Sequence, residues 1–166
     1  MGRYRPPSKA SAPFITTDGY KALSEEYAYL WHKKRPGVVS ALSAAAAEGD
    51  RSENAEYQYR RKQLAEIDRR IRYLKKRLPS LKVVSETPDD TGQIFFGAFV
   101  TLMNEEGTEC NYRIVGADEI DTKHRCITLD SPMARSLLGK RVDDVIKVAA
   151  PSGTTEYDII AIHYAQ

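Results

Sequence analysis

Gly49-Asp50-Arg51-Ser52-Glu53-Asn54-Ala55-Glu56-Tyr57 interrupts two long helical patterns. It puts two carboxylates, Asp50 and Glu53, three residues apart at the turn between them. A helix that follows a helix across so short a break folds back as an antiparallel hairpin. The tip is therefore acidic. The arm that leaves it is strongly basic.

The first arm starts near Thr17-Asp18, either of which can serve as N-cap. Tyr20, Leu23, Tyr27 and Leu30 alternate three and four apart, which is the seam of a coiled coil. Arg35-Pro36-Gly37 breaks the rhythm, and the seam resumes one residue late at Val38, Leu42 and Ala45. Proline inside a helix deletes a backbone bond, so a kink is expected there. Ala44 to Ala47 are small and let the arms approach closely near the tip.

The second arm has a cleaner seam at Leu64, Ile67, Ile71, Leu74 and Leu78. With Leu64 at position a, Lys62, Arg69 and Lys76 fall at f, Arg70 and Arg77 at g, and Arg61 and Lys75 at e. The cations cover the face opposite the seam. A solvated face with Glu66 and Asp68 pairing locally explains them. So does a face turned towards phosphates. Tyr57 and Tyr59 lie beside this stripe, placed either to stack on a base or to pack the hairpin end.

The tip acids also have two readings. Asp50 followed by Glu53 and then a helix is the pattern of a capping box, and Ser52 is a competing cap. If Ser52 caps, both carboxylates are free to face outward. Two carboxylates do not make a tight Mg²⁺ site, because that ion takes about six oxygens in a near-octahedral array. Such a site needs completion by another molecule.

The 166 residues suit one domain or two small ones, and the charge is divided unevenly along them. Residues 1–49 carry seven Lys/Arg and four Asp/Glu, residues 50–82 eleven and five, and residues 83–166 seven and fourteen. Two modules with different partners are expected. Met1 to Pro13 is Pro-rich and basic and reads as a disordered arm. Nothing resembles a signal peptide or a membrane span, so a cytoplasmic protein with no membrane association is expected. Cys110 and Cys126 sit in strand-like runs and read as buried free thiols.

The C-terminal half is β-rich, with strands expected at Ile94–Leu102, Cys110–Val115, Arg125–Leu129, Val145–Ala149 and Tyr157–Tyr164. Asn104-Glu105-Glu106-Gly107 reads as a hairpin turn. A short helix begins with Ser131 as N-cap and Pro132 at its first position, and stops at Gly139. The expected class is α+β: a two-helix hairpin, then a curved antiparallel sheet packed on one helix. His32, His124 and His163 are isolated, and no self-sufficient active site is visible.

The tip stretch, extended through Gln58-Tyr59, resembles that of the bacterial Gre transcript-cleavage factors. Glu66-Ile67-Asp68-Arg69-Arg70-Ile71-Arg72-Tyr73-Leu74 and Tyr29-Leu30-Trp31 with Arg35-Pro36 resemble the GreB branch in particular. Phe95-Phe96-Gly97-Ala98, Arg113-Ile114-Val115-Gly116 and Asp130-Ser131-Pro132-Met133-Ala134-Arg135 match as well. The resemblance covers about residues 14 to 166. It implies a hairpin over 14–81 that enters the secondary channel of bacterial RNA polymerase, and an FKBP-like domain over 82–166 that docks on the channel rim. It further implies that Asp50 and Glu53 help hold a Mg²⁺ shared with the polymerase, which then cuts the 3′ end of a backtracked nascent RNA. Arg61, Lys62, Arg69 and Arg70 would attract that RNA, and Asp130, Ser131 and Pro132 would contact the polymerase. The chain would not itself be an enzyme, and would act as a monomer whose one hairpin closes its own seam. One departure is Asp143-Asp144, where the family often has Gly-Asp. A channel-binding regulator that inhibits cleavage, a prolyl isomerase and a plain nucleic-acid-binding hairpin are the other readings; the first needs an altered tip, the second lacks an aromatic-lined pocket and the third does not explain an acidic tip.

Calorimetry should show weak or no Mg²⁺ binding by the protein alone, since two carboxylates leave most of the ion's coordination to water. A tight site would contradict the shared-ion reading.

Overall fold

The computed structural model describes residues 11–49, 54–150 and 153–165. The chain divides into two compact units: one is Tyr20–Leu81, and the other joins the chain up to Gly19 with Lys82 onward.

Helix α1 (Thr17–Tyr29) passes through a π-helical turn (Leu30–Lys34) into α2 (Arg35–Ala47). Thr16 caps it, one residue before the expected start: its hydroxyl accepts from the Gly19 N–H at 3.1 Å. In the π-turn the Arg35 N–H reaches back five residues to the Leu30 carbonyl. A π-turn holds one more residue than an α-turn can. The buried seam residues Leu23, Leu30, Val38 and Ala45 show where that residue goes. Their spacing is seven except across the π-turn, where Val38 arrives one residue late. The helix continues past Pro36, which stands in the first turn of α2 directly after the π-turn.

Helix α3 (Ala55–Arg77) returns antiparallel and ends in a 3₁₀ turn (Leu78–Ser80). Ile67, Ile71 and Leu74 form its buried stripe, with Leu74 fully enclosed. Ion pairs cross the hairpin. The Arg35 Nε donates to Asp68 Oδ1 at 2.7 Å, and Arg70 donates to both carboxylate oxygens of Glu26 at 2.7 Å. Asp68 thus pairs across the hairpin, where local pairing was expected.

In the other unit, β1 (Phe14–Thr16) pairs in parallel with β2 (Lys82–Val84), a pairing the sequence pattern did not announce. Pro13 is already engaged, its carbonyl accepting from the Lys82 N–H at 2.7 Å. The main sheet contains β3 (Phe99–Asn104), β4 (Glu109–Val115), β5 (Cys126–Thr128), β6 (Val145–Ala150) and β7 (Gly153–His163), in spatial order β5-β4-β3-β7-β6. It is mixed, not purely antiparallel, because β4 and β5 run parallel. The first expected strand starts late, at Phe99. Ile94 is fully buried, but its backbone pairs with Gly139 and Lys140. Gly97 at φ +86° then turns the chain, its N–H donating to the Ile114 carbonyl at 2.9 Å, and the regular strand begins two residues on. The β3–β4 turn is closed by the Gly107 N–H on the Asn104 carbonyl at 2.9 Å.

Helix α4 (Pro132–Leu137) covers one face of this sheet. Its Ala134 and Leu137 join Ile94, Ala98, Val100, Leu102, Ile114, Ile146, Val148 and Ile159 in one apolar core. A bulge in β7 opposite Thr101/Leu102 makes this possible. Ile159 and Ile162 are an odd number of residues apart and would face opposite sides of a regular strand. The extra residue, Ile160, is 39% exposed and lets both turn inward. Cys110 and Cys126 are free thiols but only half-buried; partial burial still pushes the Cys126 thiol up from its ordinary pKa.

Asp143 adopts φ +70°. Side chains other than glycine pay for this conformation, Asp among the least. Asp143→Gly should stabilise the protein by up to about 1 kcal/mol, and Asp143→Val should destabilise it by about 1–2 kcal/mol, read from urea denaturation.

Candidate nucleic-acid interface on the hairpin

Asp50 and Glu53 lie outside the described residues. What the structure gives is the frame around them. Gly49, at φ +142°, takes the chain out of α2 in a conformation that glycine alone accepts readily. Asn54 then starts α3: its side-chain oxygen accepts from the Tyr57 N–H at 3.0 Å, and its amide group donates to the Ala45 carbonyl at 2.8 Å. The N-cap of α3 is therefore Asn54, and neither Asp50 nor Ser52 holds that position. Ala45, 3% exposed, is the small residue that permits this approach.

The basic face is less uniform than its sequence suggests. Arg61, Lys62 and Arg69 are exposed, and no ion pair engages them among the described residues. Arg70 is exposed too, but it is held by Glu26 and lies over the Tyr73 ring at 5.3 Å. It ties the two arms together. Nearer the tip, Tyr57 is half-buried whereas Tyr59 is 58% exposed, with the Arg60 guanidinium 5.3 Å from its ring centre. Arg60 is itself fixed by Glu56 at 2.7 Å. The two tyrosines thus divide the alternatives: one packs, and one presents a ring to solvent. Trp31, in the π-turn, is also 46% exposed, with Arg35 at 5.8 Å.

In the other unit, the loop before α4 is tied by its own hydrogen bonds. The Ser131 hydroxyl accepts from the Ala134 N–H at 3.1 Å, and its own N–H donates to the Thr128 carbonyl at 2.9 Å. Pro132 occupies the first helical position and is exposed. The Asp130 carboxylate is not free: it accepts from the Ala12 N–H at 3.1 Å and lies 3.9 Å from Arg135. His124 shares a 2.6 Å contact with Asp121 and holds that carboxyl below its usual range. Among the described residues, no three His, Cys, Asp or Glu side chains come together to hold a metal, and no helix is long and apolar enough to cross a membrane.

Residues 13–83 match the family described as transcription elongation factor, N-terminal, and residues 88–164 match the GreA/GreB C-terminal family. The chain belongs to the GreA/GreB family of transcription elongation factors. It is 51% identical over 164 residues to transcription elongation factor GreB of Pseudomonas aeruginosa, covering 99% of this chain and 98% of that protein. It is 52% identical over 166 residues to GreB of Xanthomonas axonopodis pv. citri, covering 99% of each. Among solved structures it resembles GreA factor homolog 1 of Thermus thermophilus, with TM-score 0.41 and 24% identity over 90% of this chain and 97% of that one.

Arg69 and Arg70 are adjacent in sequence and different in role. Arg70→Ala should lower hairpin stability by about 0.5–1 kcal/mol, the range of a well-formed surface pair. Arg69→Ala should stay within about 0.5 kcal/mol of the parent. Thermal melts of the two variants side by side test this.

Proposed function

We propose that this transcription elongation factor inserts its helical hairpin into the secondary channel of bacterial RNA polymerase and stimulates cleavage of backtracked RNA. The observation that carries the reading is the cap of α3. Asn54 fills it, so the acids of the tip are not needed to start the helix. Family membership supplies the context.

The donor set fits a shared ion. Asp50 and Glu53 would hold Mg²⁺ together with ligands from the polymerase, and the pair is too small to hold it alone. A bound ion there supplies Lewis-acid stabilisation and an activated water for phosphodiester hydrolysis. The chain's part is to carry two carboxylates on a stiff stem and to orient them. Arg61, Lys62 and Arg69 would draw the 3′ portion of the extruded RNA along the hairpin by charge. Arg70 contributes to that field while holding the arms together. Asp130, Ser131 and Pro132 would dock the other unit on the polymerase, since a loop already fixed by its own hydrogen bonds loses little entropy on binding. The factor works as a monomer in this scheme.

Asp50→Asn and Glu53→Gln should leave the fold and polymerase binding intact and reduce stimulated cleavage by at least about 100-fold. Backtracked complexes, scored for shortened RNA, give the measurement. Cleavage at the parent rate by both variants would sink the proposal.

A further inference from the structure

The π-turn and α3 line an open groove of about 430 Å³ on the hairpin. Its make-up differs from that of the basic stripe. The floor is apolar: Leu30 is 7% exposed and Ile67 is 5% exposed. At one end stands Tyr59, its ring mostly in solvent. Tyr59, Lys62, Gln63 and Glu66 recur three and four apart, so α3 presents them along one edge. Helix one contributes Glu26, Leu30 and Lys34 at four-residue spacing, the last two inside the π-turn.

Charge decides what the groove fits. Arg70 and Glu26 are locked together and cancel. Lys34 and Lys62 remain, both exposed and without an ion pair among the described residues, against a single Glu66. A cationic groove with an apolar floor and a solvent-exposed tyrosine ring, which the Arg60 guanidinium approaches at 5.3 Å, matches an unpaired nucleotide, whose base stacks while its phosphate meets the lysines.

We propose that this groove is a subsite for one unpaired nucleotide of single-stranded RNA, with the base on Tyr59 and its phosphate between Lys34 and Lys62. The inference rests on the RNA-facing reading of the hairpin given above. It adds a stacking contact and a lysine from the first arm to what had been a stripe of charge on the second. The π-turn acquires a purpose here: it interrupts the helix where Leu30 and Lys34 face the groove.

The test reads binding separately from cleavage. Affinity of the full chain is measured for polymerase complexes carrying several extruded nucleotides, and for matched complexes carrying none. Tyr59→Leu should weaken binding to the first about tenfold, within the span reported for loss of one stacked base, and leave the second unchanged. Tyr59→Phe, which keeps the ring, should bind both like the parent. Lys34→Ala should weaken only the first, and its effect should shrink as salt rises. A 4-thiouridine placed in the extruded RNA should crosslink to the α3 segment around Tyr59. Parent-like binding by Tyr59→Leu overturns the subsite. Equal loss on both complexes also overturns it and assigns the groove to a polymerase contact. If the parent binds as expected yet does not promote cleavage, the cleavage reading fails while the subsite result stands on its own.

Discussion

One carboxylate, Glu119, fixes the place where the hairpin's first helix begins. It accepts from the Thr16 N–H at 3.0 Å, from the Gly116 N–H at 2.9 Å, and from the Thr16 hydroxyl. That same hydroxyl accepts from the Gly19 N–H and so caps α1. Thr16 is 6% exposed, so these groups have little water to turn to. Charge-assisted bonds to backbone N–H groups are among the stronger ones available. The arrangement tolerates no bulk: a Cβ on Gly116 would stand 2.2 Å from the Phe14 carbonyl oxygen. The parallel pairing of β1 with β2 and the first turn of α1 both follow from this anchorage.

The hairpin obeys a second constraint, which is phase. A seam of seven-residue spacing must face its partner along its whole length. The π-turn just ahead of Pro36 inserts one residue into the helix. The seam therefore resumes at Val38, and Ala45 comes to lie beneath Asn54. Arg35, the first residue after the π-turn, is then positioned to meet Asp68.

Much of this was legible in the sequence. The heptad spacing located both arms, and the late return of the seam at Val38 foretold the slip. Ser131 and Pro132 marked the start of α4, and Gly107 marked the β-turn, because capping and turn chemistry are local. Long-range effects were not legible. Thr16 took the cap from Thr17 or Asp18 because Glu119, far along the chain, positions it. Asn54 took the second cap because the Ala45 carbonyl needed its amide. Arg70 lost its freedom to Glu26, and Asp68 turned to Arg35, across a hairpin whose register periodicity alone does not set. The parallel edge pair β4–β5 and the bulge at Ile160 likewise arise from packing. Asp50 and Glu53, the residues of greatest interest in the sequence, lie outside the described residues.

The two bonds of Asn54 have a further consequence. One side chain starts α3 and also fastens it to the Ala45 carbonyl of α2. The last turn of α2 and the first turn of α3 therefore share one side chain as their fastener. Removing that amide unties both helix ends at once, whereas the seam and the ion pairs lower on the hairpin are set by other residues.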